Sequence, residues 1–123
     1  MIRQVVVVLL SFSIWVVPAW AGPVEWIEVP STERGQQWWD RGSIREDRQG
    51  LRTVLSRFTP APNADGVQPQ GELYVMQLDC GQELYRDKQV NGIPRFKPAW
   101  QAAGDDGLIT SVIEAVCQQP LTS

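Results

Sequence analysis

"ELYVMQLDC", residues 72 to 80, is the stretch whose parity decides the architecture. Side chains alternate across a strand, so Tyr74, Met76, Leu78 and Cys80 share one face, and Leu73, Val75, Gln77 and Asp79 share the other. The cysteine's face is the more apolar, which predicts a strand buried on that side and less covered on the opposite one. Towards the C-terminus the period changes: Leu108, Ile109, Val112, Ile113, Val116 and Cys117 recur at helical spacing. Asp105 or Asp106 can cap the start of this amphipathic helix, and Pro120 lies just beyond its stop. Being short and rich in β-branched residues, the helix must be held by packing, because it would hardly form alone. Cys117 lies within the helix's apolar stripe and Cys80 on the strand's apolar face, so two independent periodicities point at one contact.

The rest of the chain supplies further strands. "VEWIEVP" (24–30), "QQWWD" (36–40) and "LRTVLSRF" (51–58) are short β-prone segments set off by turn residues. "TPAPNADGVQPQG" (59–71) carries three prolines and two glycines and reads as a flexible, solvated connection. "QELYRDKQV" (82–90) runs into Asn91-Gly92, a dipeptide suited to a type I′ hairpin because both central residues need positive φ. "IPRFKPAW" (93–100) should pair back, although Pro94 and Pro98 confine it to an edge or an irregular strand. The architecture predicted is α+β: an antiparallel sheet of five to six strands with one C-terminal helix packed on a face. In such a sheet Trp38 and Trp39 point to opposite faces, so one ring enters the helix-covered core. The other lies on the far side, either shielded by loops or a dimer partner or partly exposed with Arg41 beside it for cation–π contact.

The N-terminus has the form of a secretory leader. Arg3 precedes an apolar run from Val5 to Val17, and Ala19 and Ala21 supply the small side chains that a signal peptidase needs. Residues 1–21 are therefore read as a signal peptide cleaved after Ala21, and residues 22–123 as the mature domain with no membrane span. Losing Arg3 moves the net charge of −3 to −4. One small acidic domain remains, without the basic excess that drives binding to nucleic acid. Its two cysteines, Cys80 and Cys117, are an even count in an exported chain and are expected to form a disulfide. That bond would fasten the helix's buried side to the sheet.

The order of features resembles the surface-adhesin protein E family of bacterial exported proteins. The resemblance runs through Trp26, "WWDRGSI" (38–44), "LDC" (78–80), "LYRD" (84–87), Trp100 and a terminal "VC" (116–117), and spans nearly the whole mature chain. It implies an antiparallel sheet with a C-terminal helix tied to it by a disulfide, and a capacity for homodimerisation. The chain departs from the lipid-anchored adhesin of that family in having no cysteine at the cleavage point, so a lipid anchor there is not expected.

Chemistry is sparse. The sequence has no histidine, which removes Ser-His-Asp and Cys-His catalysis together with the commonest transition-metal ligand. Glu46-Asp47 reads as part of a charged turn and Asp105-Asp106 as a helix cap, and "NADG" (63–66) lacks the later carboxylates of a calcium loop. No catalytic residue, metal or cofactor is expected. The expected function is that of an exported, non-enzymatic protein-binding module, periplasmic or on the cell surface, acting through a sheet edge or an uncovered sheet face. The alternative is a cell-envelope binder of glycans or small ligands that uses tryptophan stacking. The candidate binding surface comprises Trp38, Trp39, Arg41, Arg45 and Trp100. The charged run at 41–52 reads as a solvated, self-paired loop.

Overall fold

The computed structural model describes residues 23–120. The expected leader and its cleavage after Ala21 lie outside the described residues. Eight strands form one antiparallel sheet: β1 (Trp26–Glu28), β2 (Gly35–Asp40), β3 (Arg45–Glu46), β4 (Arg52–Pro60), β5 (Glu72–Asp79), β6 (Leu84–Val90), β7 (Ile93–Pro94) and β8 (Gln101–Ala102). Six of them follow the path β1-β2-β4-β5-β6-β7, while the two-residue strands β3 and β8 pair with β4 and β6. Among the described residues one α-helix, α1 (Gly107–Cys117), lies across one face. The expected α+β layout is thus realised, with six strands in its main order.

Parity explains which face the helix covers. Val54 pairs with Met76 and Leu78 lies two residues further along β5, so these side chains share one face; Trp39 joins them through its pairing with Ser56. Against them pack Leu108, Val112 and Val116 of α1, and all seven are at most 2% exposed. Burying such a side chain is worth about 1.5–3 kcal/mol, which is what holds a helix of poor intrinsic propensity.

Three further contacts fasten α1. Its N-cap is Asp106, whose Oδ1 accepts from the backbone N–H of Leu108 at 3.0 Å and of Ile109 at 3.2 Å. At the other end Arg52, reaching up from β4, donates through Nη1 to the carbonyls of Val116 at 2.6 Å and Gln119 at 2.8 Å. Cys80 and Cys117 are disulfide-bonded with their Cα atoms 5.7 Å apart. Closing a loop across their separation of 37 residues is worth about 4 kcal/mol in the chain-entropy model.

Two segments differ from the sequence reading. β4 continues through Thr59 and Pro60, which pair with Gln36 and Gly35, so the connection begins at 61 and not at 59. Gly35 permits this: its φ is 137°, and a Cβ there would stand 2.2 Å from the carbonyl oxygen of Thr59. The connection itself turns on Asn63, whose Oδ1 accepts from the N–H of Asp65 and Val67. The second difference concerns 93–100. Only Ile93–Pro94 pairs with β6 after the Asn91-Gly92 turn (φ 51° and 82°); the chain then leaves the edge and rejoins it at Gln101–Ala102. Two prolines within that stretch cannot donate to a ladder, and the chain loops out between the pairings.

The charged run is more structured than a solvated, self-paired loop: Arg45–Glu46 is strand β3, Arg41 pairs outside the run with Glu25, and Arg52 is drawn in by its bonds to the end of α1. Residues Arg41–Ser43 form a 3-10 turn, Asp47 accepts from the N–H of Gln49 and Leu51, and Arg52 pairs with Glu46 at 3.1 Å.

Candidate functional site

Among the described residues, no helix covers the face opposite α1. Across it, Trp38 pairs with Arg57 and Arg57 with Leu73; one row along, Leu55 pairs with Val75; further along, Thr53 pairs with Gln77 and Gln77 with Arg86. Cross-strand partners share a face, so these residues form a continuous surface. Its most organised part is a stack. The Arg57 guanidinium lies 4.4 Å from the ring centroid of Trp38 and 4.9 Å from that of Trp26, held between the two indoles. The Nε of Arg57 is buried there without a hydrogen-bond partner.

A second stack stands nearer the other edge. Arg86 donates from Nε to Oε1 of Gln77 at 2.8 Å and lies 4.2 Å from the ring centroid of Trp100. The looped-out segment before β8 is what carries Trp100 to this position. Among the described residues, neither Arg57 nor Arg86 has a carboxylate within 4.0 Å; the ion pairs involve Arg34, Arg41 and Arg52 instead. Two cations in an acidic protein are therefore held by indoles and amides and left without a counter-charge. Leu73, 39% exposed, lies on the same face, and Phe96, 88% exposed, stands in the loop beside the β7 edge.

The structure separates the residues expected to form one surface. Trp38 and Trp100 lie on the open face. Trp39 is 2% exposed in the core, so it is removed from any binding surface, and its indole N–H finds no hydrogen-bond partner there. Arg41 does not stack on Trp38: it sits in the 3-10 turn and pairs with Glu25 at 3.4 Å, and the cation in that role is Arg57. Arg45, exposed in β3, pairs with Thr53 and so stands on the open face as well, with Nη1 donating to the carbonyl of Ile44 at 2.8 Å. Arg57 and Arg86 were not among the expected site residues. The signal for them is the pairing register, which parity within a single strand does not contain.

A model of the surface adhesin-E family matches residues 27–123. The chain belongs to the surface adhesin-E family. No curated protein and no solved structure matches it. In this adhesin-E chain the segments that carried the resemblance divide by role. Trp39, Leu78 and the two cysteines build the core and its tether. Asp40, 4% exposed, binds the β1 segment and the following turn, its Oδ1 accepting from the N–H of Glu25 at 2.8 Å and of Gly42 at 2.9 Å. Trp26, Arg86 and Trp100 line the open face. No group of three or more His, Cys, Asp or Glu side chains placed to hold a metal occurs among the described residues.

Proposed function

We propose that this adhesin-E protein is an exported, non-enzymatic protein-binding module that engages its partner through the open sheet face. One observation carries the reading: two guanidinium groups on that face are held by tryptophan rings and have no carboxylate partner. Tryptophan and arginine are among the side chains that most often dominate binding energy, the one through its large ring and the other through its planar fork of donors. The edges of the sheet support less. β1 is three residues long, and the outer side of β6 is covered at both ends by β7 and β8.

A site-specific photocrosslinker tests this in the native envelope. Placed at Leu73 on the open face it should give a discrete adduct, and placed at Glu114 on the exposed side of α1 it should give none. Adducts from Glu114 alone would reject the open face. An adduct of twice the chain's mass at Leu73 would identify a second copy of the chain as the partner. Glycan stacking is the weaker reading, since Arg57 already lies against one side of the Trp26 and Trp38 rings.

A further inference from the structure

On the helix-covered side the packing is incomplete. Beside the first turn of α1 a cavity of about 160 Å³ remains, lined by the rings of Phe58, Tyr74 and Tyr85 and by Asp87 and Asp106, with Met76 at its inner wall. That is room for a small polar head group.

The polar groups around it differ in how they are engaged. Asp106 is occupied with capping α1. The Tyr74 hydroxyl donates to Oε1 of Glu72 at 2.5 Å, and the Gln37 amide donates to Oγ of Ser56 at 3.0 Å. The Asp87 carboxylate and the Tyr85 hydroxyl make no hydrogen bond or ion pair with the described residues, although both residues are only partly exposed. Burial pushes the Asp87 carboxyl above the usual aspartate range, Arg95 nearby opposes the shift, and Glu72 adds to it. Asp87 lies on this face by alternation with Tyr85, the two pairing with Met76 and Leu78; just beyond it the register shifts, Val75 pairing with Gln89 and Lys88 being left as the bulged residue.

An unpaired carboxylate among three aromatic rings is a setting that favours a cation over an anion or a neutral group, since ring faces and carboxylate attract positive charge together. We infer that this cavity binds an alkylammonium group, carried by a free amine or by a lysine side chain. A larger groove of about 540 Å³ passes the disulfide, but it is lined by Ala102, Ala103, Gly104 and the exposed Glu83 and Glu114, with no aromatic ring. Its carboxylates stand in water, and it offers no comparable selectivity. The site lies on the opposite side of the sheet from the open face and does not rest on the function proposed above.

The test is a titration of the disulfide-intact protein with choline and with 3,3-dimethylbutan-1-ol, its uncharged isostere, at matched ionic strength, following the ring resonances of Tyr74 and Tyr85. Choline should shift both rings saturably and the isostere should not. Asp87→Asn, which preserves shape, should weaken choline binding about tenfold by removing the Coulombic attraction of the carboxylate for the quaternary nitrogen. Arg95→Gln should strengthen it by removing the competing cation. Nα-acetyl-lysine methylamide and n-butylammonium form the second arm. Tighter binding of the lysine derivative than of n-butylammonium identifies a protein side chain as the source, and the reverse identifies a free amine. Equal shifts from choline and its isostere, no saturable shift from any of these cations, or an Asp87→Asn protein that binds as the wild type does would each overturn the assignment.

Discussion

Arg57 is a cation kept on a protein surface without a carboxylate. Two indoles supply the attraction instead, each through the negative face of its ring, and the geometry buries Nε between them. Replacing Arg57 with Gln should therefore destabilise the fold by about 1 kcal/mol and change the fluorescence of the two indoles. Urea denaturation read together with tryptophan emission checks this, and unchanged emission would show that the stack does not persist in solution. The tryptophan pair was legible in part. Alternation places Trp38 and Trp39 on opposite faces whatever the rest of the chain does. Which of them is buried depends on the side α1 takes, and the neighbour of Trp38 depends on β4 lying beside β2.

The helix α1 is anchored at each end by a side chain of a different kind. Asp106 could be read from its place just before the apolar stripe, and Asp106→Ala should cost about 1 kcal/mol. Arg52 could not be read, because it comes from β4, 64 residues before the Val116 carbonyl that it caps. Arg52→Met keeps the length of the stem but leaves the last carbonyls of α1 without that donor, and should cost about 1–3 kcal/mol. The two losses should add within about 0.5 kcal/mol, since the ends share no partner. A shift of the urea midpoint at constant slope measures each, and a combined loss well below the sum would mean that the two ends fray as one unit. The same limit governs strand ends. The hairpin at Asn91-Gly92 was visible from its dipeptide, while the extension of β4 to Pro60 required Gly35 to lie opposite.

At the scale of the molecule, the two sides of the sheet impose different dependences on pH. The helix side carries the groups whose ionisation folding opposes. Asp87 titrates above the ordinary value of 3.8, through burial first and then the balance of Arg95 and Glu72, with Tyr85 and Asp106 across the cavity. A group raised in the folded state contributes stability that is fully present below its unfolded value and is lost as pH rises through the folded one. Asp87 therefore weakens the fold at neutral pH. Asp87→Asn should raise Tm there, and the two Tm curves should converge in acid below about 4. Tyr74 and Tyr85 are raised above 10.0, again chiefly by burial, so their contribution persists below that value and is lost as pH rises beyond it. Curves for wild type and Asp87→Asn that stay parallel from acid to neutral pH would refute the role given to Asp87.

Local periodicity determined a good deal about this protein. The strand at 72–80, the helix that begins after Asp106, and the assignment of Cys80 and Cys117 to two buried faces all follow from side-chain spacing, which is a property of neighbouring residues. The disulfide and the α+β class follow from those in turn. Only the tertiary structure decided the sites. The Trp26–Arg57–Trp38 stack joins three strands, and the Asp87 cavity joins β4, β5, β6 and the start of α1. Each depends on strand order and on register, and these are set by the packing of distant segments, because no single segment's spacing records which others will lie beside it.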